Sequence, residues 1–396
     1  MRRRVVIHWG VSSFFGWGVY GLNLALHWSN DPAVEPLCSY PLRDDQIVVD
    51  PLKTRVLARF RAESEGLQGR LAGLSNRTVT ADGPVLSALG NDFRTAPLRD
   101  ELRLAGTPTV GVVFFEVPQL DAETVERAKA LPFIVAGSTW NERILREYGV
   151  ASVRTVIQGI DPTLFHPAPK AGLMPGRFLV FSGGKLELRK GQDLVLAAFR
   201  RFAERHSDAV LVTAWHSPWP QFARTVDVSG QAAPVVFGPN GKVDATAWAA
   251  ANGIPADQFV DLGAVPNALI APILREMDVA LFPNRSEGGT NLVAMECMAC
   301  GVPTILSANT GHLDLIQPDS CYPLAHQRPV SGPYAGVGTT PGWGESSVDE
   351  IVDRLEKAYS DQEDARRKGA GGAALMAARP WARTAAEMRD VVLSLI

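Results

Sequence analysis

Short apolar runs alternate with segments of helical spacing along most of the chain. The runs that predict buried strands form a first series, at 5–9, 78–80, 109–115 and 133–137. A second series follows at 177–182, 209–214, 259–262, 279–283 and 303–307. Because strands separated by helices pair in parallel and are covered on both faces, the pattern predicts an α/β protein with parallel sheets.

The two series are separated by a segment rich in proline and glycine, GIDPTLFHPAPKAGLMPG at 159–176. Such a segment is typical of an interdomain linker, and 396 residues is long for a single core. The chain is therefore predicted to form two doubly wound domains, at 1–165 and 170–379. Open sheets of this type bind ligands beyond the carboxyl ends of their strands, so the site is expected in a cleft that both domains face.

Composition and charge narrow the class of protein. Hydrophobic residues make up 46% of the chain and charged residues 20%, as in a soluble globular protein. A net charge of −3 and a pI of about 6.2 exclude a general basic surface for nucleic acid. The chain shows no apolar stretch of membrane-spanning length and no cleavable leader, so it is expected to be cytoplasmic.

Four cysteines in a chain of this length do not form a disulfide framework. Cys297 and Cys300 form a CxxC pair, which can indicate metal or redox chemistry. A second CxxC is absent from the sequence and the pair lies within a predicted helix. We therefore expect ordinary buried cysteines.

The segment EGGTNLVAMECMACGVP, at 287–303, lies between two predicted strands and combines a double glycine with two glutamates. Gly288 and Gly289 allow close approach to the backbone, and a helix that begins just after them offers free N–H groups to a diphosphate. Those N–H groups are predicted on Thr290, Asn291 and Leu292. Glu287 and Glu296 can then bind hydroxyls, an arrangement that suits a nucleotide-sugar. The alternative is an ordinary strand-to-helix turn, capped by Asn or Thr, with Glu296 in solvent.

A second candidate segment, FSGGKLELRKGQD at 181–193, follows the first predicted strand of the second domain. Its turn begins with a glycine pair that ends at Gly184, and it places Lys185 and Lys190 five positions apart. Two ammonium groups at this spacing can hold a diphosphate, with Arg189 as a competitor for the same role. A solvated turn with surface lysines is the alternative.

Together, these segments resemble the donor site of retaining glycosyltransferases of the GT-B fold, notably the glycosyltransferase family 4 type, or glycosyl transferases group 1. The resemblance implies two Rossmann-like domains, with the nucleotide-sugar bound by the second. It also implies that the final helix, at 380–396, packs back on the first domain and completes it.

The family motif is a glutamate, seven residues and a second glutamate, whereas eight residues separate Glu287 from Glu296. MECMACGVP matches the second half of the motif, so the resemblance implies that Glu296 holds the nucleotide ribose. It implies that Glu287 contacts the donor sugar, with the extra residue bulging the loop. GKLELRKG matches the family's basic pattern, with Lys185 where arginine is more usual.

The first domain supplies SSFFGWGVYGLNLAL at 12–26, a loop with Gly16 and Gly18 followed by a helical pattern. The resemblance implies that this loop lies across the cleft from the donor phosphates. Glu116, before a Ser-x-Trp that follows the next predicted strand, would lie on the acceptor side. There it would orient the acceptor hydroxyl or balance positive charge on the sugar ring. The alternative is a structural carboxylate that caps the helix near Asp121.

The resemblance implies transfer of a sugar, with retention of configuration, from a UDP-, GDP-, ADP- or dTDP-linked donor to a hydroxyl acceptor. That acceptor is a glycan, a lipid-linked molecule or a small molecule. The sequence contains no Asp-x-Asp, so we expect no metal and no cofactor, with lysines and a helix N-terminus stabilising the diphosphate instead. The alternatives are a nucleotide-sugar epimerase on the same scaffold and a sugar-nucleotide-binding protein without catalysis.

Two further places have alternative interpretations. His312, in NTGHLDLI, is either a structural histidine or a contact of the donor. The locally basic segment 50–70 has apolar residues at helical spacing. It is either a surface helix of the acceptor domain or a peripheral contact with the anionic inner face of a membrane.

Overall fold

The structure is a computed structural model that describes residues 2–98, 100–216, 219–330, 332 and 337–396. The chain divides into two compact units. Unit 1 contains Met1–Asp161, Pro266–Ala268 and Arg379–Ile396, and unit 2 contains Pro162–Val265 and Leu269–Ala378. The end of the chain therefore belongs to unit 1 although it follows unit 2 in sequence.

Unit 1 is a doubly wound α/β unit. Its elements before unit 2 are β1 (Arg3–His8), α1 (Gly16–Ser29), β2 (Val34–Cys38), α2 (Pro51–Leu71), β3 (Thr78–Thr80), β4 (Val85–Leu89), β5 (Arg103–Ala105), β6 (Thr109–Val113), α3 (Ala122–Ala130), β7 (Phe133–Ala136), α4 (Thr139–Glu147) and β8 (Val153–Thr155). Among the described residues, six strands pair in parallel in the order β2-β1-β4-β6-β7-β8. β3 and β5 form a separate parallel pair.

Unit 2 repeats this architecture. Its elements are β9 (Phe178–Gly183), α5 (Gln192–Ala203), β10 (Ala209–Ala214), α6 (Ala245–Ala251), β11 (Phe259–Asp261), α7 (Asn267–Glu276, whose first two residues are assigned to unit 1), β12 (Val279–Phe282), α8 (Leu292–Ala299), β13 (Thr304–Ser307), β14 (Tyr322–Leu324), β15 (Gln327–Pro329), β16 (Gly344–Ser346), α9 (Val348–Ser360) and α10 (Gln362–Ala377). In the part of the chain that is described, six strands pair in parallel in the order β11-β10-β9-β12-β13-β14, and β15 and β16 form an antiparallel hairpin. The chain ends with α11 (Trp381–Leu393).

Each unit has its own hydrophobic core. Every residue of β9 and of β12 is buried, as expected of parallel strands that carry helices on both faces. The core of unit 2 joins these strands to α5 and α9 through residues such as Val180, Phe199, Leu281 and Leu355. The clusters of unit 1 lie on its own sheet and helices.

The predicted α/β class and parallel sheets are confirmed, and each predicted strand is present with its ends shifted by at most two residues. The predicted strand at 78–80 pairs with β5 outside the main sheet. The apolar pattern did not predict every strand, and β2, β4, β8 and β14 are among those that it missed. β2 has the sequence VEPLC, in which a glutamate and a proline interrupt the apolar run although all five residues are buried.

The strand order of unit 2 reverses between β9 and β12, which pair directly through Val279 with Val180 and Ala280 with Phe181. The helices that follow these two strands lie on opposite faces of such a sheet, so their loops separate and leave a crevice at the carboxyl edge. The loops after β9 and β12 hold the two segments that the sequence predicts to bind a diphosphate. None of the helices that the structure describes combines the length and apolar character required to traverse a bilayer.

Candidate functional site in unit 2

The two predicted segments of unit 2 contact each other directly. The backbone N–H groups of Arg285 and Ser286, just after β12, donate to the carbonyl of Arg189 at 2.7 and 3.3 Å. Arg189 lies in a short 3₁₀ turn, Leu188–Lys190, between β9 and α5. The basic turn and the glutamate loop therefore form one site at the carboxyl edge of the sheet.

Glu287 is at the centre of this site, and its carboxylate is buried among polar partners. Lys190 and the side-chain amide of Asn284 both bind Oε1. Arg189 donates to Oε2 from Nη1 at 3.2 Å. The backbone N–H of Glu287 donates to Oγ1 of Thr310 at 2.8 Å. Two cations and an amide thus fix the position of one carboxylate.

The charges around Glu287 determine its protonation. Burial alone would raise the pKa of this carboxyl, but Lys190 and then Arg189 outweigh burial and lower the pKa from 4.5 to about 2. Burial lowers the pKa of Lys190, and the charge of Glu287 opposes that effect. Glu287 is therefore ionised at neutral pH.

Lys185 is linked to Glu287 through a chain of ion pairs that passes through Glu187 and Arg189. Its Nζ is 3.2 Å from Oε2 of Glu187, whose Oε1 binds Nε of Arg189 at 2.6 Å. Nζ also lies 5.6 Å from the centre of the Trp219 ring. The Lys185 side chain is 34% exposed, against 12% for Lys190. The predicted pair of ammonium groups is therefore unequal, and Arg189 is the cation that shares Glu287 with Lys190.

The loop after Glu287 leads into α8 through a left-handed residue. Asn291 has φ 62° and caps the helix, its side chain accepting from the N–H of Ala294 at 3.4 Å. Asparagine tolerates this conformation better than other non-glycine residues. Leu292 begins the helix, and the hydroxyl of Thr290 lies 3.0 Å from Sδ of Met295. The first N–H groups of a helix have no intrahelical partner, which fits the predicted anion site at this end of α8.

The glycines of the site have different roles. A Cβ at Gly311 would lie 1.8 Å from the carbonyl oxygen of Gly289, so the loop after β13 presses directly on the segment that contains Gly288. Gly311 also donates from its N–H to the carbonyl of Glu287 at 3.0 Å. Gly184 has φ 118°, a conformation that requires glycine, and open space where a side chain would point.

His312 connects the loop after β13 to the start of α8. Its Nε2 accepts from the amide of Asn291 at 3.1 Å, and Nδ1 lies 3.0 Å from the hydroxyl of Ser307. Burial lowers the pKa of His312 to about 4 against the attraction of Glu287, so the ring is neutral at pH 7. Both ring nitrogens are occupied by protein groups, which favours the structural interpretation of this histidine.

Glu296 is buried on α8, so it is not the solvated helix residue of the alternative interpretation. Cys297 and Cys300 lie in the same segment, and burial raises the pKa of both thiols. The four cysteines are free and buried, as expected. Within the described ranges, no group of three or more His, Cys, Asp or Glu side chains is arranged to hold a metal ion.

The remaining predicted residues lie in unit 1. Gly16 is the first residue of α1, and a Cβ there would meet nothing within 4 Å. Gly18 packs so closely on Ser12 that a Cβ would lie 2.5 Å from the Ser12 Cβ. Glu116 follows β6, and its N–H donates to Oδ1 of Asn91 at 3.3 Å. Asp121 itself caps α3 by accepting from the N–H of Thr124 at 2.7 Å, so that cap is not Glu116.

Sequence reasoning missed several polar residues of the site. Asn284 and Thr310 hold Glu287, and Arg285 forms a buried ion pair with Asp193. A signal for Arg285 was present, because a charge beside a buried strand needs a buried partner. The partner itself lies 92 positions away and could not be identified from the sequence pattern.

Two doubly wound units, with a glycine-rich loop and a buried acid at the strand-order reversal of the second, define the fold as GT-B. Residues 168–373 match the family described as Glycosyl transferases group 1. Because this match covers more than half of the 396 residues, the chain belongs to that family.

Comparison with individual proteins agrees with this assignment. The chain is 26% identical over 178 residues to a GDP-mannose-dependent alpha-(1-6)-phosphatidylinositol dimannoside mannosyltransferase of Mycobacterium tuberculosis, strain ATCC 25177 / H37Ra. That match covers 43% of this chain and 40% of the relative, so it spans less than half of either protein.

Solved structures are similar over nearly the whole chain. Sucrose-phosphate synthase from Thermosynechococcus elongatus is 17% identical, with a TM-score of 0.65 over 100% of this chain and 99% of that one. Anabaena HepE, solved in complex with UDP-glucose, is 11% identical, with a TM-score of 0.64 over 99% of this chain and 100% of that one. At these identities the similarity shows the fold alone.

Proposed function

We propose that the protein is a retaining glycosyltransferase that transfers a sugar from a nucleotide-sugar donor to a hydroxyl acceptor without a metal ion. The observation that carries this proposal is the buried Glu287 carboxylate between Lys190 and Arg189, at the strand-order reversal of unit 2. This arrangement provides, within one site, cations for a diphosphate and an acceptor of hydrogen bonds for sugar hydroxyls.

The cations are proposed to act on the leaving group. Transfer breaks the bond between the anomeric carbon and the diphosphate oxygen, which leaves negative charge on the diphosphate. Lys190 and Arg189 stabilise that charge more strongly in the transition state than in the bound donor. Removal of one such preorganised contact typically costs about 2.7–4 kcal/mol of barrier. Lys185 and the N-terminus of α8 supply further favourable potential.

The carboxylates are proposed to bind hydroxyl groups. Glu287 accepts hydrogen bonds from the donor sugar, and Glu296 holds the ribose. The acceptor oxygen forms its bond on the face from which the diphosphate leaves, and its proton passes to a diphosphate oxygen. Configuration at the anomeric carbon is thereby retained without a protein nucleophile. Unit 1 is proposed to supply the acceptor side through Glu116 and the loop with Gly16 and Gly18.

The similar proteins indicate which donors to test first. HepE was solved with UDP-glucose, and the mycobacterial relative is described as GDP-mannose-dependent. UDP-glucose and GDP-mannose are therefore the first candidates, followed by ADP- and dTDP-sugars. Acceptors should include free sugars, glycans and lipid-linked sugars.

Thermal unfolding in the presence of each donor tests the proposal. A ligand at 100 times its Kd stabilises the folded protein by about 2.7 kcal/mol, a measurable rise in Tm. The stabilising donor is then incubated with acceptors, with and without EDTA, and the anomer of the product is identified by NMR. We expect a product with the donor's configuration, formed at the same rate in EDTA, and a sharp loss of donor use in Glu296→Ala.

Several outcomes would contradict the proposal. Lack of stabilisation by any nucleotide-sugar would argue against a donor site, and an inverted product would exclude the retaining mechanism. Free nucleotide released from the donor alone would favour the epimerase. Binding without turnover on any acceptor would favour a protein that has lost catalysis.

A further inference from the structure

An ion cluster around the buried Arg285 adjoins the site described above. Arg285 is 0% exposed, and its guanidinium group donates to both carboxylate oxygens of Asp193, at 2.8 and 2.6 Å. Nε binds Oε2 of Glu345 at 2.9 Å, and Nη1 also donates to the carbonyl of Leu188 at 2.8 Å. We refer to Arg285, Asp193 and Glu345 as the Arg285 cluster.

The backbone of Arg285 joins the same segments. Its N–H donates to the carbonyl of Arg189 at 2.7 Å, and its carbonyl accepts from the N–H of Gly344 at 3.0 Å. Arg285 therefore connects the basic turn after β9, the start of α5 and the hairpin of β15 and β16. It does so two positions before Glu287.

Stability alone does not explain such a cluster. Removing the Arg285 guanidinium and the Asp193 carboxylate from water is costly, and well-packed apolar side chains of similar size are often equally or more stabilising. A bidentate arginine pair, however, has a defined geometry that apolar packing lacks. The cluster is therefore suited to fixing one segment relative to another.

We propose that Arg285 is a positioning residue that holds Glu287 at a fixed distance from the charges of Arg189 and Lys190. The site for the sugar and the site for the diphosphate are thereby kept in register before the donor binds. This inference rests on the proposed function for its consequence in donor binding. The coupling between the cluster and Glu287 is a property of the protein without ligand.

Glu345→Gln is the variant of choice, because Arg285→Lys or Asp193→Asn alters a fully buried pair and risks unfolding. The Glu345 side chain is 25% exposed, and glutamine preserves its shape while removing its charge. Glu356→Gln is the matched control: Glu356 is 29% exposed, lies in the same unit and pairs with Arg205 at 3.2 Å, away from the Arg285 cluster.

The first measurement needs no ligand. The free energies of urea unfolding of wild type, Glu345→Gln, Glu287→Gln and the double variant form a double-mutant cycle. We expect the changes in unfolding free energy caused by Glu345→Gln and Glu287→Gln to be non-additive in the double variant. Those caused by Glu356→Gln and Glu287→Gln should be additive. Additive effects of Glu345→Gln and Glu287→Gln would overturn the proposal.

The second measurement compares UDP-glucose with UDP, and GDP-mannose with GDP, by calorimetric titration. Glu345→Gln should weaken the binding of the sugar nucleotide more than the binding of the free nucleotide, because Glu287 is displaced relative to the cations. We expect the Kd of the sugar nucleotide to rise by a factor of roughly three or more relative to that of the free nucleotide. Equal weakening of both ligands would overturn the proposal, since loss of folded protein alone would produce that result. If the wild-type protein binds none of these ligands, the titration is repeated with the ADP- and dTDP-sugars. Lack of binding by every nucleotide-sugar would contradict the proposed function, and the cycle would still decide the role of Arg285.

Discussion

The chemistry of Glu287 depends on the residues that face it rather than on its place in a motif. Burial opposes the ionised form, and the charges of Lys190 and Arg189 reverse that preference. The same two cations are proposed to hold the diphosphate, so the carboxylate and the donor must share them. Individual substitutions at these three positions therefore test both stability and donor binding.

The first prediction concerns stability against pH. The pKa of Glu287 is lowered from 4.5 to about 2 on folding. A carboxyl with a depressed folded-state pKa contributes stability that is present above pH 4.5 and is lost as the pH falls towards 2. This lowering of the pKa corresponds to about 3 kcal/mol in the free energy of unfolding. The free energies of urea unfolding of wild type and Glu287→Gln should therefore differ most near pH 7, differ less at pH 3, and converge only as the pH approaches 2.

If the difference in unfolding free energy between wild type and Glu287→Gln does not vary with pH, the neighbours of Glu287 do not lower its pKa in the folded state. In a Lys190→Met background the same comparison should vary less with pH, because the largest of the opposing charges has been removed.

The second prediction ranks the two lysines. Lys190 contacts Glu287 and is nearly buried. Lys185 is more exposed and is linked to Glu287 through Glu187 and Arg189. Lys190→Met should lower kcat/KM for the donor by roughly 100-fold or more, the typical effect of losing a preorganised contact. Lys185→Met should cause a smaller loss. Lys129→Met, an exposed position in unit 1, serves as the control and should behave as wild type. A larger loss in Lys185→Met than in Lys190→Met would reverse the assignment.

At the scale of elements, the sequence identified what depends on local pattern. The apolar runs predicted β6, β9, β10, β12 and β13 because these strands are almost entirely buried. β2 was missed, since glutamate and proline at an edge of the sheet disrupt the pattern without disrupting the pairing. The reversal of strand order between β9 and β12 is a long-range property that periodicity does not contain.

The candidate site divides in the same way. The sequence predicted roles for Lys190, Arg189 and Glu287, because charged residues and glycines after strands are local signals, and the structure brings these three side chains together. It did not identify Asp193 as a partner of Arg285, since that contact depends on how α5 packs beside β12. A side chain whose partner is distant in sequence, such as Arg285, is thus harder to interpret than a charged residue within a local motif.

The third prediction concerns the start of α1. Gly18→Ala would place Cβ 2.5 Å from the Ser12 Cβ and 2.7 Å from its backbone nitrogen. Such overpacking typically costs about 1–3 kcal/mol. Gly16→Ala meets open space at the first position of the helix, so stability should be unchanged or slightly higher. Thermal unfolding of both variants measures the contrast, and equal effects would contradict it. Any loss of donor binding in Gly16→Ala would then indicate a ligand contact rather than misfolding.

At the scale of the whole molecule, the chain forms two units in sequence, and its last helix belongs to the first of them. α11 belongs to unit 1, where the indole Nε1 of Trp28 in α1 donates to the carbonyl of Ala385 at 3.0 Å. The hydroxyl of Thr384 donates to the carbonyl of Ile157 at 2.8 Å. Unit 1 is therefore complete only when the last residues of the chain are in place.

The fourth prediction concerns the packing of α11 in unit 1. Trp381 is buried and stacks on Tyr20 of α1, with ring centres 5.6 Å apart, and its backbone N–H donates to the carbonyl of Ile160 at 3.0 Å. Trp381→Ala should cost about 3–5 kcal/mol, and that loss should fall on unit 1, because Trp381, Tyr20 and Ile160 all belong to that unit. Hydrogen exchange should accelerate in β1 and α1 while β9 and β12 remain as in wild type. Arg383→Ala is the control, since Arg383 lies on the exposed face of the same helix, where it pairs with Glu387 at 2.8 Å. Equal acceleration in both units would mean that they unfold as one body and that α11 does not stabilise unit 1 selectively.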